Sequence, residues 1–306
     1  MINYTIIIPH KNSAELLEYC LSTIPVRDDV QVIVVDDNSD PEKVDFNHFP
    51  QWKGKNYEYY LTKEGKGAGY ARNVGLEHAK GKWLLFVDAD DFLLPTINDI
   101  FDECVNSDAE VIYFRPQAVM LEDRQSPSNR ADAYNDLIDE YFATNQENSI
   151  RTGFYVPWSK FVRESLIKKR NICFAEIQYS NDLEFSAAVG SYASLIEVRD
   201  TSYYVVTKSN NSLTSKMMSK PNEILIRSAA FIRSQKVIFD CGWSIEEQKM
   251  INFLRQLYPS YMSDFIRYFK MALSFGYTRR ELLNKLFSPT SIKAIFIKCY
   301  VYIKAL

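Results

Sequence analysis

The sequence predicts an α/β protein, built on a mostly parallel sheet with helices on both faces and followed by a helical C-terminal region. Three observations carry this prediction. Short β-branched or aromatic runs of strand length recur through the first half: YTIIIP (4–9), VQVIVV (30–35), YEYYL (57–61), WLLFV (83–87) and EVIYF (110–114). Segments of helical pattern separate most of them, and alternating strand and helix builds a parallel sheet covered on both sides. From Pro221 onward the pattern is helical, with NEILIRSAAFIRSQKVIF, IEEQKMINFLRQLY and YMSDFIRYFKMALSF each amphipathic.

Taken in order, Ser13 can cap a first helix that carries Leu16, Leu17, Cys20 and Leu21 on one side. GYARNVGLEHAKG reads as a second helix, and Pro95 stands where a first-turn proline opens a third. The composition shift near Ser215 to Pro221 divides the chain into residues 1–215 and 216–306. With 306 residues and 46% hydrophobic content, the chain can bury a substantial core.

Composition also excludes several classes. The net charge is −3 with no long basic block, so nucleic acid is not an expected partner. Five cysteines, widely separated and never in a C-x-x-C pair, argue for reduced thiols rather than a disulfide framework or a zinc site. The three histidines are spaced with no cysteine or other histidine, which disfavours a histidine metal site. The opening MINYTIIIPHKNS reads as a first strand, not a secretory leader, and predicts a cytoplasmic protein.

In a parallel α/β sheet the ligand binds beyond the carboxyl ends of the strands. PHKN follows the first strand, DDNSD the second and DADD the fourth, so three polar clusters converge on one edge. Carboxylates packed this closely repel one another and need a cation or strong donors nearby. A hard divalent ion such as Mn²⁺ or Mg²⁺ suits them, held by one or two carboxylates and completed by water and substrate phosphates. Taken alone, D-x-D is also a common turn sequence.

The segments TIIIPHKN, VIVVDDNS, GAGYARNVGLEHAKGKWLLFVDADD and YSNDLEFS resemble, in order and spacing, the inverting glycosyltransferases of family 2, which have the GT-A fold. The resemblance covers roughly the first two-thirds of the chain. It implies transfer of a sugar from a nucleotide diphosphate donor, usually a UDP-sugar, to an acceptor hydroxyl, assisted by Mn²⁺ or Mg²⁺. By the same resemblance, Pro9, His10 and Asn12 line the nucleotide pocket, with His10 standing where the family often has a tyrosine and able to stack on a base. Asp37 matches the acceptor of a uracil hydrogen bond, with Asp36 supporting the loop. Arg72 and Asn73 match groups near the nucleotide and donor sugar. Asp88 matches the ribose-binding acid and a second candidate metal ligand, Asp90 the metal ligand, and Asp91 is left to the turn.

Inverting displacement of UDP requires a base opposite the leaving group. The family places an Asp at a helix start, often preceded by Glu; here the stretch reads Asn181, Asp182, Leu183, Glu184 and Phe185. Asp182 is the base this implies and Glu184 its competitor; the alternative is that Asn181 or Asp182 merely caps the helix. The Asn at 181 departs from the family pattern and leaves open a catalytically silent nucleotide-sugar-binding module or a partner subunit. A nucleotidyltransferase is disfavoured, because PHKNSAE is not a Gly-rich phosphate loop. Trp158 and Lys160 match acceptor-side positions or a buried core, and Lys208 matches a basic loop near the diphosphate or a polar linker.

The tail SPTSIKAIFIKCYVYIKAL is short for a bilayer span, which needs about 20 apolar residues. Between Arg279 and Leu306 six basic residues face one acid. That composition fits an interfacial segment on anionic lipid, with residues 289–306 holding the enzyme at the inner face of the membrane near a glycan or lipid-linked sugar acceptor. Packing on the core, or a homo-oligomer contact, is the alternative.

Overall fold

The computed structural model describes residues 1–209, 221–258 and 260–287. It divides into two compact units, Met1–Met217 and Met218–Leu306. In chain order the first unit runs β1 (Tyr4–His10), α1 (Ala14–Thr23), β2 (Val30–Asp37), β3 (Tyr57–Thr62), α2 (Ala68–His78), β4 (Trp83–Phe86), β5 (Phe92–Leu93), α3 (Ile97–Cys104), β6 (Val111–Phe114) and β7 (Gln117–Met120). It continues with α4 (Asp132–Thr144), α5 (Asn148–Gly153), β8 (Lys160–Arg163), α6 (Glu164–Arg170), α7 (Leu183–Tyr192), β9 (Ile196–Arg199) and β10 (Tyr204–Lys208).

Seven strands form one sheet in the order β3-β2-β1-β4-β8-β6-β9. All neighbours are parallel except β8, which runs antiparallel to both β4 and β6. β1 sits between β2 and β4, so the loops that follow these three strands leave at the same edge. The central strands are buried along their whole length and mostly apolar because helices cover both faces: every residue of β2 is buried, as is every residue of β4. Beneath them Tyr4, Trp83, Phe101 and Phe161 pack ring against ring.

A second, three-stranded sheet, β5-β10-β7, lies at the acidic turn after β4. β10 pairs antiparallel with β5 and parallel with β7.

The second unit contains α8 (Pro221–Asp240), α9 (Glu247–Leu257), α10 (Met262–Leu273) and α11 (Arg279–Leu286). The three amphipathic runs read from the sequence correspond to α8, α9 and α10. The fourth helix is short and polar outside, and its start is fixed by a capping box in which Thr278 and Glu281 bond reciprocally. Among the described residues no helix is long and apolar enough to cross a membrane. The tail from 289 to 306 lies outside the described residues.

Candidate active site

The loops after β1 and β2 are locked together by polar contacts. Burying the Asp36 carboxylate requires donors, and His10 Nδ1 at 2.7 Å, Ser39 Oγ at 2.5 Å and Ser39 N at 2.8 Å supply them. The Ser13 backbone N–H donates to His10 Nε2 at 3.1 Å, which leaves the imidazole proton on Nδ1, facing Asp36. Burial pushes the Asp36 carboxyl up, but the hydrogen bonds from His10 and Ser39 outweigh it and hold the group below the usual range. His10 is therefore a framework residue here, its ring buried edge-on against Phe49, and not presented for stacking on a base. Asn12, in the left-handed region at φ 58°, ties the same loops: its N–H donates to Ser39 Oγ and its side chain accepts from Asp40 N. Pro9 is half-buried at the end of β1.

Asp37 stands differently from Asp36. It is buried, and its Oδ2 accepts from Lys11 Nζ at 3.3 Å and from Gly67 N at 2.9 Å. Its Oδ1 is buried with no hydrogen-bond partner. An orphaned carboxylate oxygen costs stability unless a ligand donor reaches it.

The acidic turn after β4 separates its three carboxylates by role. Asp91 is buried and accepts from Tyr204 Oη at 2.5 Å and Thr207 N at 2.7 Å, so it staples β10 to the turn. Tyr204 Oη also accepts from Asp88 N, and Thr207 Oγ1 donates to the Asp90 carbonyl. Asp88 is half-buried and takes Arg72 Nη2 on Oδ1 at 2.5 Å. Asp90 is exposed as a residue, but loss of solvation to the surrounding protein, followed by the Asp88 charge, pushes its carboxyl up to about 6.

Arg72 connects this turn to the start of α7. It projects from α2, is buried, and donates from Nη1 to Asn181 Oδ1 at 3.0 Å as well as to Asp88. Its guanidinium lies over the Phe174 ring, and Phe174 and Phe185 stack and pack on Phe86 of β4. Asn73 is spent on the backbone, pairing both ways with Phe174 N and O. Close approach makes a glycine necessary at 69: a Cβ there would meet Ala175 O at 2.2 Å and Asn181 Cβ at 3.0 Å.

Asp182 occupies the N-cap position of α7 but makes no capping hydrogen bond with its side chain. Burial pushes its carboxyl above the ordinary range, the Arg72 guanidinium opposes this, and the Asp88 charge adds to it. Glu184 lies two residues further on, about 200° around the helix axis. The charges of Arg72 and Asp88 both act on Asp182.

Other sequence candidates separate. Trp158 is buried and stacks on Tyr204 at 5.4 Å, so it belongs to the core under the turn. Lys208 donates to Asn129 Oδ1 at 2.7 Å. That bond draws the segment before α4 toward β10 and brings up Arg130, which the sequence reading did not single out. The Arg130 charge bears on Asp90, on Asp182 and on Tyr134 of α4. No motif marks it; an arginine ahead of a helix looks like any other surface cation.

Lys160 is buried, donates to the Phe154 carbonyl at 2.9 Å, and lies near the Tyr113 and Phe154 rings. Burial pushes its ammonium down to about 7 from 10.5. Between those two values the unfolded chain holds a proton that the folded chain has released, so stability through this group rises with pH from about 7 to about 10.5. Lys160→Met is expected to flatten that rise in urea unfolding between pH 6.5 and 9.5. An unchanged difference between the two proteins across this range would contradict it.

This geometry can be set beside known proteins. The model of glycosyl transferase family 2 matches residues 5–170, more than half of the chain. The chain is 25% identical over 201 residues to the provisionally named glycosyltransferase EpsH of Bacillus subtilis strain 168, covering 63% of this chain and 57% of that protein. It is 25% identical over 230 residues to the poly(ribitol-phosphate) beta-N-acetylglucosaminyltransferase TarS of Staphylococcus aureus strain Mu50, covering 73% of this chain and 39% of that one. The chain thus spans only part of these relatives. Residues 1–349 of S. aureus TarS, in complex with UDP-GlcNAc, superpose with a TM-score of 0.59 at 20% identity, over 96% of this chain and 84% of that one. A mannosyltransferase from Pyrobaculum calidifontis, in complex with GDP-Man and Mn²⁺, superposes with a TM-score of 0.51 at 16% identity, over 98% and 86%. The fold is GT-A with helices added at the C-terminus, and the chain belongs to glycosyl transferase family 2.

Proposed function

We propose that this protein is an inverting glycosyltransferase that moves a sugar from a UDP-sugar to a hydroxyl of a glycan or lipid-linked acceptor in surface polysaccharide assembly. The observation that carries the reading is Asp182: a carboxylate at a helix start that does not cap the helix and whose basicity burial has raised. It shares Arg72 electrostatically with Asp88. The names of the relatives support sugar transfer, and the UDP-GlcNAc complex of TarS supports a UDP-linked donor. The free Asp37 Oδ1 supports uridine, whose ring N3–H can donate to it.

In this reading Asp88 binds the ribose hydroxyls. Asp182 takes the proton of the acceptor hydroxyl as that oxygen attacks the anomeric carbon in line with departing UDP. Arg72 keeps Asn181, and with it the start of α7, at a fixed distance from the acidic turn. The neutral Asn181 still accepts the Arg72 hydrogen bond, so its departure from the family pattern leaves that tether in place.

Among the described residues no group of three His, Cys, Asp or Glu side chains forms a ready cation cage. An exposed Asp90 beside a half-buried Asp88 instead fits Mn²⁺ or Mg²⁺ bound through one or two carboxylates, with diphosphate and water completing the shell. Such an ion, when bound, would offset the charge that builds on the leaving diphosphate.

Residues 1–215 would carry donor binding and catalysis, and residues 216–306 would associate with membrane or partner. A panel of nucleotide sugars, tested for thermal stabilisation with and without Mn²⁺, examines the donor assignment. A ligand at a hundredfold its dissociation constant adds about 2.7 kcal/mol. UDP-sugars are expected to stabilise the protein only with the metal; stabilisation by a purine nucleotide sugar alone would overturn the uridine assignment.

A further inference from the structure

A cavity of about 490 Å³ opens in the second unit, within its own helices and apart from every residue discussed above as part of the transfer site. Its walls come from the end of α8, the turn that follows it, and the loop between α10 and α11. Phe239, Trp243, Phe275 and Tyr277 line it, with Glu281 and Lys285 beside them. Gly242 and Gly276, at φ 83° and 91°, let the two loops turn back toward one another. Phe239 and Phe275 touch at 5.2 Å between ring centres, yet Phe239 remains 36% exposed.

The polar side of this cavity is held in place beforehand. Lys285 Nζ pairs with Glu247 at 2.5 Å, Tyr277 hydrogen-bonds Glu247, and Glu281 is fixed by the capping box with Thr278. The charges that line it are mixed, the Glu281 carboxylate and the Lys285 ammonium, which favours neither an anion nor a cation. A wholly apolar ligand would strip water from those charges without replacing their hydrogen bonds. A neutral ring with apolar faces and hydroxyl edges meets both kinds of wall: its C–H faces lie on the aromatic rings and its hydroxyls reach the carboxylate and ammonium. The volume falls in the range of about 300–1,000 Å³ usual for ligand pockets, room for more than one pyranose.

We propose that this cavity is a saccharide-binding site for sugar units of the acceptor glycan remote from the reacting hydroxyl. The proposal rests on the reading of the chain as a glycosyltransferase with a glycan acceptor. Binding to remote units adds to the affinity for long acceptors through a second, tethered contact, without changing the chemistry at the first.

Cellotriose, maltotriose and chitotriose, titrated into the full chain and followed by saturation-transfer NMR and tryptophan fluorescence, provide the test. Trp52, Trp83 and Trp158 are buried, so the fluorescence response of the native protein reports chiefly on Trp243. At least one trisaccharide is expected to bind, and Trp243→Leu to weaken it at least tenfold. Glu281→Gln, which retains the capping geometry, is expected to weaken it several-fold. UDP binding, measured on the same samples, should be unchanged in both variants and shows that they are folded. If none of the three sugars binds the native chain, or if both variants bind them as well as it does, the site is not there. Loss of UDP binding by the native chain would instead remove the glycosyltransferase reading, and leaves the saccharide titration to be judged by itself.

Discussion

Asp182→Asn is expected to lower the rate of sugar transfer by at least roughly a hundredfold, with donor affinity nearly intact, since a positioned general base contributes about 10²–10⁴-fold. The substitution removes basicity and changes little else, because the Asp182 side chain makes no capping hydrogen bond whose loss would unsettle α7. Glu184→Gln should do much less. The pH profile sharpens the test. A base must be deprotonated to act, so activity falls as pH drops through its pKa. Burial raises that pKa in Asp182, so the acidic limb of kcat should lie above the usual Asp value of about 3.9. Asp90 is also pushed up, to about 6, but in its proposed role it acts on donor binding and would belong to the profile of kcat/KM for the free enzyme. Single-turnover rates under saturating donor separate the two. If Glu184→Gln were the slower variant, the base would have to be reassigned.

Asp90→Asn is expected to abolish Mn²⁺-dependent binding of the UDP-sugar while the fold survives. A loss of roughly a hundredfold in donor affinity corresponds to about 2.7 kcal/mol. The fold should tolerate the change, because the contacts that anchor the turn belong to other atoms. Asp91 holds β10 through Tyr204 and Thr207, and Thr207 Oγ1 binds the backbone carbonyl of Asp90, not its side chain. Removing the Asp90 charge also relieves its repulsion with Asp88 and Asp91, so the variant should melt no lower than the parent without ligand. Calorimetric titration with donor, with and without Mn²⁺, gives the answer. Metal-dependent affinity equal to that of the parent would sink the assignment of Asp90 to the metal.

How far residue types alone reach is clearest at the carboxyl edge. The alternation of apolar strands and amphipathic helices is local in the chain, and the positions of PHKN, DDNSD and DADD follow from it, because a parallel order sends successive strand ends to one side. The three β-strands that carry these clusters are neighbours in the sheet. The helices α8, α9 and α10 of the second unit were equally legible, since an apolar stripe of helical period needs no partner to be recognised, whereas the short α11 was not read. The reversed strand β8 and the small sheet β5-β10-β7 were not. Their pairings join residues far apart in sequence, such as Val205 with Phe92 and with Gln117, and nothing in a four-residue run announces its partner.

The amino-acid sequence by itself determined the α/β alternation, the acidic turn and the helix start at Asn181 and Asp182, because each is written in neighbouring residues. Only the tertiary structure decided what each polar group does. Asp36 and Asp37 are adjacent, yet one is consumed by His10 and Ser39 while the other keeps an oxygen free. Asp91 and Asp90 are adjacent, yet one is a buried staple and the other an exposed ligand candidate. Asn73 and Arg72 are adjacent, yet one binds backbone and the other spans from Asp88 to Asn181, 109 residues away from it in the chain. The physical reason is common to all three pairs. A charge or amide taken out of water must be matched by donors and acceptors that the chain brings from elsewhere, and which member of a pair is matched depends on the direction each side chain takes in the folded chain.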